Sequence, residues 1–208
     1  MRTMIKTRLR PMVDADIPQI MDIERQSFPA MWPQTAYKRE LSNKIARYIV
    51  LAELRDDPPP PPAPSSGLWA SFRRIVNVPE PGPPSSEYLL GFIGVWLMVD
   101  EAHIVTVAVR DECRRQGIGE RLLLAAIDLA WEMEQFVLTL EVRASNIEAQ
   151  AMYEKYAFER VGLRKRYYTD NNEDAVLMTT PELGTPTYQK LLAGLRDEHR
   201  HRYPDLWP

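Results

Sequence analysis

The feature that most constrains this chain is a change of period at Gly117. Before it, Ala102 to Val109 reads as an apolar strand; after it, Ile118, Leu122, Ala125, Ala126, Leu129 and Met133 recur three or four apart. That recurrence marks an amphipathic helix of roughly 17 residues. A strand must follow, and Phe136 to Arg143 supplies it. There Phe136, Leu138, Leu140 and Val142 alternate with Val137, Thr139, Glu141 and Arg143, so Glu141 projects to the face opposite the leucines.

The rest of the chain continues this mixed pattern, which predicts an α/β (α+β) fold. Lys6 to Pro11 reads as a first strand, and Asp16 and Gln19 have capping-box spacing ahead of Ile17, Ile20, Met21 and Glu24. A second helix is expected from about Pro33 to Asn43, with Tyr37, Leu41 and Ile45 on one face, followed by a strand over Arg47 to Leu54. Tyr88 to Val99 and Ala102 to Val109, joined by Asp100 and Glu101, predict an antiparallel hairpin. Ser145 and Glu148 have the spacing of a second capping box, opening a helix over Ile147 to Tyr156. Strand candidates follow at Phe158 to Leu163 and Ala175 to Thr179.

This organisation predicts one domain over residues 1–183, interrupted at about 56–87 and followed by an extension over 184–208. The interruption holds ten of the 18 prolines, including Pro58 to Pro62, and can sustain neither a helix nor a sheet ladder. It reads as an inserted, solvated loop whose polyproline geometry suits a docking partner. An island within it, Leu68 to Val78, has helical spacing through Trp69, Phe72 and Ile75. The extension reads as an extra helix with an aromatic end, Tyr203 to Trp207, and no assignable role.

Composition narrows the function. A formal net charge of -3 gives no general pull toward nucleic acid or an anionic membrane. The single cysteine, Cys113, sits beside two arginines that can lower its pKa, but reads better as an exposed bystander thiol. Three scattered histidines, His103, His199 and His201, lack metal-ligand spacing, so no metal is expected. The most apolar run, Tyr88 to Val99, is too short to span a bilayer, and no apolar segment follows the basic N-terminus; a cytoplasmic protein is expected.

Two constellations carry chemistry. In the first, Val107-Ala-Val-Arg-Asp-Glu-Cys-Arg-Arg-Gln-Gly-Ile-Gly119, a strand runs into a basic turn and a helix. Backbone N–H groups at a helix N-terminus, with Gly117 and Gly119 permitting close approach and Arg114 and Arg115 adding charge, make a cradle for a pyrophosphate. A plain strand-to-helix turn is the alternative. No Lys-Ser/Thr follows the glycines as a P-loop requires, and the third glycine of a dinucleotide fingerprint is missing. The second constellation is Leu140-Glu-Val-Arg-Ala-Ser-Asn146 followed by Tyr153.

The Arg114-x-x-Gly117-x-Gly119 form resembles the acetyl-CoA-binding motif of the GNAT superfamily. The second constellation resembles the signature of bacterial RimI-type enzymes, which acetylate the N-terminal amine of a ribosomal protein. The likeness extends to Glu101-Ala-His-Ile-Val-Thr-Val-Ala-Val, to Arg166-Tyr-Tyr168 with Glu173-Asp-Ala, and to Phe28-Pro29 and Trp32. It spans about 150 residues, leaving out the proline-rich insert and the tail. The resemblance implies a GNAT fold, with a central mixed, mostly antiparallel sheet flanked by helices. It implies acetyl-CoA as cosubstrate, held by Val107, Val109, Arg114, Arg115, Gln116, Gly117, Ile118, Gly119 and Asn146, with Tyr167 and Tyr168 lining the peptide channel. It gives general-base work to Glu141 and general-acid work to Tyr153.

Physical chemistry agrees with both roles. An α-amino group with a reference pKa near 7.7 to 8.0 is partly neutral at pH 7, and a carboxylate can take its proton directly or through water. A thiolate leaves more easily when a phenol protonates it. Each residue also has a structural reading: Glu141 as a carboxylate salt-bridged to a neighbour such as Arg143, Tyr153 as a packed aromatic, Asn146 as a helix cap competing with Ser145, and the tyrosine pair as strand aromatics. The expected acceptor is a protein N-terminus, most specifically the N-terminal alanine of a small-subunit ribosomal protein. Acetylation of a lysine or small amine, or acyl-CoA sensing without catalysis, are the alternatives. One departure stands out: Ala157 precedes Phe158 where the family usually has glycine, which costs about 1 to 2 kcal/mol if that residue is left-handed.

Overall fold

The computed structural model describes residues 6–28, 35–55 and 87–207. Its strands are β1 (Thr7–Pro11), β2 (Ala46–Leu54), β3 (Glu87–Leu97), β4 (Glu101–Val109), β5 (Val137–Arg143), β6 (Glu159–Tyr168) and β7 (Glu173–Thr179). Its helices are α1 (Ile17–Ser27), α2 (Tyr37–Leu41), α3 (Ile118–Glu132), α4 (Ile147–Lys155) and α5 (Pro186–Arg202). The strands form one sheet in the order β1-β2-β3-β4-β5-β7-β6. Every neighbouring pair is antiparallel except β4 and β5, which α3 connects by a crossover that brings the chain back in the same direction. The mixed, mostly antiparallel sheet expected from the sequence is what forms.

Apolar side chains fill both faces. Leu122, Leu124 and Ile127 of α3, Leu138 and Leu140 of β5, and Tyr156 and Phe158 build the larger core. On the other face Ile20 and Ile23 of α1 and Tyr37 of α2 pack on Val50 and Phe92. Helix α3 is buried on more than one stripe, because Leu123 and Leu124 are as inaccessible as Leu122. The segment after Gly184 explains this: Tyr188, Leu192 and Leu206 join the larger core, and Arg196 pairs with Asp128 of α3.

Several local readings are corrected. Asp16 does not cap α1 with its side chain. Its buried carboxylate instead takes Arg10 in two hydrogen bonds of 2.7 and 2.8 Å and accepts the Val13 N–H, while Arg10 also reaches Glu87. A buried ion left without its partner costs several kcal/mol, so the side chain goes to the ion pair and not to the helix end. Gln19 ties α1 to β3, donating to the Glu87 carbonyl and accepting the Leu89 N–H. Helix α2 is one short turn, and Ile45 lies beyond it, 42% exposed. Pro33, Trp32 and Pro29, and the whole 56–86 insert with its helical island, lie outside the described residues.

At α4 the cap is Asn146, whose side chain accepts the Ala149 N–H; the Ser145 N–H is instead taken by Glu173 at 2.7 Å. The other end of α4 closes in a Schellman arrangement, with Phe158 N–H donating to the Tyr153 carbonyl and Ala157 N–H to that of Glu154. The Tyr153 and Phe158 rings supply the accompanying apolar contact at 5.6 Å between centroids. Ala157 sits at φ 60°, the left-handed region where a Cβ is strained. Ala157→Gly should therefore raise stability by about 0.5 to 1 kcal/mol, less than the full strain because glycine gains entropy when unfolded. An upward shift of the urea midpoint at unchanged m-value checks it.

Candidate active site

Pairing between β4 and β5 runs only from Glu101 opposite Val137 to Ile104 opposite Leu140. At that point β4 carries a bulge: Ile104 faces Val95 and Thr106 faces Gly94, leaving Val105 without a partner on β3. A bulge bends its strand and changes which face successive side chains meet. Ile104 points to the α3 core and Val105 to the α1 side, while Val107 again packs toward α3. Beyond the bulge the two strands splay, and a cleft of about 830 Å³ opens between them. It is lined from both faces of the sheet.

On the α3 face the wall is the turn into that helix. Arg115 and Gly117 have φ 62° and 79°, so the chain twists back on itself there and offers successive N–H groups at the start of α3. Arg114, Arg115, Gly117, Ile118 and Gly119 line the cleft, with Val107 and Val109 from β4. Arg114 pairs with Asp111 at 2.6 Å and Arg115 with Glu148 at 2.9 Å. Both pairs are well exposed, so a ligand can displace them at little cost. Gln116 is not part of this wall; its side chain turns away to the Glu112 carbonyl. A Cβ on Gly119 would meet only the Met152 sulfur at 3.5 Å and a Val109 methyl at 4.0 Å. Room therefore exists there for a ligand to approach the backbone.

Glu141 and Tyr153 line the same cleft from opposite faces. The Glu141 side chain is 6% exposed, hydrogen-bonded to His103 Nε2 at 2.7 Å and to Arg164 at 3.1 Å. Burial works to raise its pKa, but the His103 hydrogen bond and charge, with Arg164, outweigh this and hold the carboxyl below its ordinary value. Arg143, the expected salt-bridge partner, instead serves Asp170 and Glu173. Tyr153 is buried on the α3 face, and burial pushes its phenol well above the ordinary range, so it holds its proton at neutral pH. Tyr168 lines the cleft and its hydroxyl reaches the Glu141 carbonyl at 3.4 Å, whereas Tyr167 is 42% exposed and stacks edge-on against it from outside. Asn146 lines the cleft while its side-chain oxygen caps α4, so both readings of that residue meet in one position.

Other residues in the cleft wall and behind it had no role assigned from the sequence. His103 lies opposite Thr139 in the ladder, and its Nδ1 is 2.7 Å from the Thr139 hydroxyl, which makes a chain from Thr139 through His103 to Glu141. The signal was available: His103, Thr139 and Glu141 alternate onto one face once the two strands are parallel. On the α1 face Glu24 accepts Thr35 and Tyr37, while Glu40 accepts Tyr48 and Trp96. Cys113, expected to be exposed, is half-buried, and burial with the Glu112 charge raises its thiol pKa despite Arg110 and Arg55. Among the described residues no group of three or more His, Cys, Asp or Glu forms a metal cluster, and no helix is long and apolar enough to cross a membrane.

The arrangement offers a carboxylate on one face, a protonated phenol on the other and an anion cradle beside the phenol, all on one cleft. Comparison with known proteins identifies the family. The family model described as Acetyltransferase (GNAT) family matches residues 17–158. A putative [ribosomal protein bS18]-alanine N-acetyltransferase of Bacillus subtilis (strain 168) is 32% identical over 174 residues, 83% of this chain and 94% of that protein. The crystal structure of the ribosomal-protein-S18-alanine N-acetyltransferase from Escherichia coli superposes with a TM-score of 0.60 at 24% identity, covering 85% of this chain and 94% of that one. That of the NatC complex bound to Gag peptide and CoA gives 0.63 at 18% identity, covering 85% and 99%. With its family pattern spanning most of the chain and its sheet splayed around a paired carboxylate and phenol, the protein belongs to the GNAT acetyltransferase family and is an acyltransferase enzyme.

Proposed function

We propose that this protein transfers the acetyl group of acetyl-CoA to the N-terminal amine of a protein, with the N-terminal alanine of ribosomal protein bS18 as the first acceptor to test. The observation that carries the reading is the placement of Glu141 and Tyr153 on opposite faces of one cleft. The likeness to the Bacillus protein supports the acceptor, and the anion cradle at Arg115 to Gly119 supports the donor.

The thioester enters from the α3 face, its pyrophosphate against the N–H groups of the turn, and the amine enters from the α1 face beside Glu141. Glu141, ionised at neutral pH, takes one proton from the ammonium through water and releases it to solvent, which frees the nitrogen lone pair to attack the carbonyl carbon. The C–N bond forms and the C–S bond breaks. Tyr153 gives its proton to the departing sulfur, and the second proton lost by nitrogen returns through solvent to the phenolate, leaving amide and free thiol. The acidic residues of the α1 wall, Glu24 and Glu40, suit an acceptor that arrives as a cation.

Glu141→Gln is expected to lower kcat by about 10² to 10⁴ near pH 7 with acetyl-CoA affinity little changed. The loss should shrink as pH rises past the amine's own pKa, because solvent then delivers the neutral nucleophile. A kcat profile against pH on an N-terminal alanine peptide checks it; equal turnover at pH 7 with chemistry rate-limiting rejects Glu141 as base. An N-blocked lysine peptide in the same assay separates the two amine classes.

Tyr153→Phe should also lower kcat, but higher pH should not restore it, and an acyl donor with a more acidic thiol should. Comparing two thioesters of different leaving-group pKa measures this directly.

For the donor site, Gly119→Asp should project a carboxylate into the space beside Met152 and Val109 and weaken acetyl-CoA binding at least about tenfold by like-charge repulsion. Calorimetry reads it, and unchanged affinity would remove the pyrophosphate from this turn.

A further inference from the structure

The segment from α5 to Trp207 lies beyond the residues that the family pattern covers, yet it is built onto the turn that opens α3. The indole N–H of Trp207 donates to His199 Nδ1 at 2.9 Å, and an indole nitrogen can only donate. Nδ1 must therefore carry the lone pair, and the ring presents Nε2–H to the Gly117 carbonyl, 2.9 Å away. Burial holds the His199 pKa below its ordinary value and keeps this neutral tautomer in place. The charged groups facing it are Glu120 and Arg121 of α3 and Lys155 of α4.

A trans peptide sets its C=O and N–H in opposite directions. With the Gly117 carbonyl held by both the Arg121 N–H of α3 and His199, the Ile118 N–H, which has no acceptor inside the helix, points out of the start of α3. The Tyr203 ring closes the other side of the turn: a Cβ on Gly117 would lie 2.5 Å from it. The segment is itself anchored. Thr7 donates to the Asp205 carbonyl at 2.8 Å, Arg121 donates to that of Leu206 at 3.2 Å, and the Arg121 guanidinium lies 3.9 Å over the Trp207 ring. Arg202 and Tyr203 line the same cleft as Arg115 and Gly117. Arg202 is exposed and, among the described residues, has no carboxylate partner, unlike Arg114 and Arg115.

We infer that the carboxy-terminal segment is part of the coenzyme site: His199 and Tyr203 are positioning residues that fix the phosphate-binding turn, and Arg202 supplies a cation to the phosphate-bearing end of CoA. The inference rests on the placement of the pyrophosphate at that turn. It gives a binding role to the one stretch of chain whose sequence offered none. The ligand group is a phosphate ester, either the pyrophosphate or the 3′-phosphate of the ribose.

The test is calorimetry on the full chain with CoA and with 3′-dephospho-CoA, on the parent, Arg202→Ala, His199→Leu, His199→Gln and Gly119→Asp. Arg202→Ala should weaken CoA by roughly 5- to 20-fold, between the scales of a neutral and a charged hydrogen bond because the side chain is exposed, with the melting temperature unchanged and a shallower dependence of affinity on salt. A penalty that vanishes with dephospho-CoA places Arg202 on the 3′-phosphate; one that persists places it on the pyrophosphate. His199→Gln, which keeps an N–H donor, should bind CoA better than His199→Leu. Unchanged CoA affinity in Arg202→Ala, together with lost binding in Gly119→Asp, overturns the role of the segment while leaving the turn as the site. Unchanged affinity in Gly119→Asp moves the pyrophosphate elsewhere and takes the inference with it.

Discussion

The site depends on one interrupted ladder. Parallel pairing between β4 and β5 stops at Ile104 and Leu140, where Val105 bulges out of register with β3. Ladder groups that lose their partners must be satisfied by water or ligand, so the splay presents backbone edges to whatever occupies the cleft. Because the gap passes through the sheet, residues on opposite faces, which the pleat would otherwise keep apart, come to share one space. Glu141 belongs to the face away from Leu138 and Leu140; Tyr153 belongs to the α3 core. Only at the splay can a single substrate pair touch both.

This geometry also divides the charge. Arg114, Arg115 and Arg202 stand where α3 begins, and Glu24, Glu40 and Glu141 stand on or toward the α1 wall. A net charge of -3 conceals this separation, since it averages two opposed fields over the whole chain. The lowered pKa of Glu141 follows from the same division: His103 and Arg164 stabilise its charge in a place where burial would otherwise neutralise it. A carboxylate so stabilised is a weak base, which suits transfer through water to solvent better than retention of the proton.

The fold class and the basic glycine turn were legible because each rests on local signals: a change of period, an alternation, a pair of glycines. Glu141 and Tyr153 were legible through their neighbours in sequence. Arg164 was not, because β7 lies between β5 and β6, and nothing local tells that Arg164 reaches Glu141 across an intervening strand. The choice between Ser145 and Asn146 as cap was decided at a distance, by Glu173 taking the Ser145 N–H. Asp16 likewise lost its local role to Arg10, whose second carboxylate, Glu87, lies 77 positions beyond the arginine and outside any local window. The tail gave no signal because its contacts are remote in sequence, His199 reaching Gly117 across 82 positions and Leu206 reaching Arg121 across 85.

The two glycines of the turn turn out to have different causes. Gly117 is required twice over: its φ of 79° disfavours any side chain, and the Tyr203 ring occupies the space where a Cβ would go. Those demands come from the protein itself and would hold with no ligand near. Gly119 has ordinary backbone and ordinary contacts, with Met152 and Val109 as its nearest side chains. Packing alone would accept alanine there, and under the proposed function the bare backbone at 119 leaves room for the ligand that enters the cleft. In the Arg-x-x-Gly-x-Gly pattern, then, the first glycine is accounted for by the chain itself, and the second is the one on which the proposed coenzyme site bears.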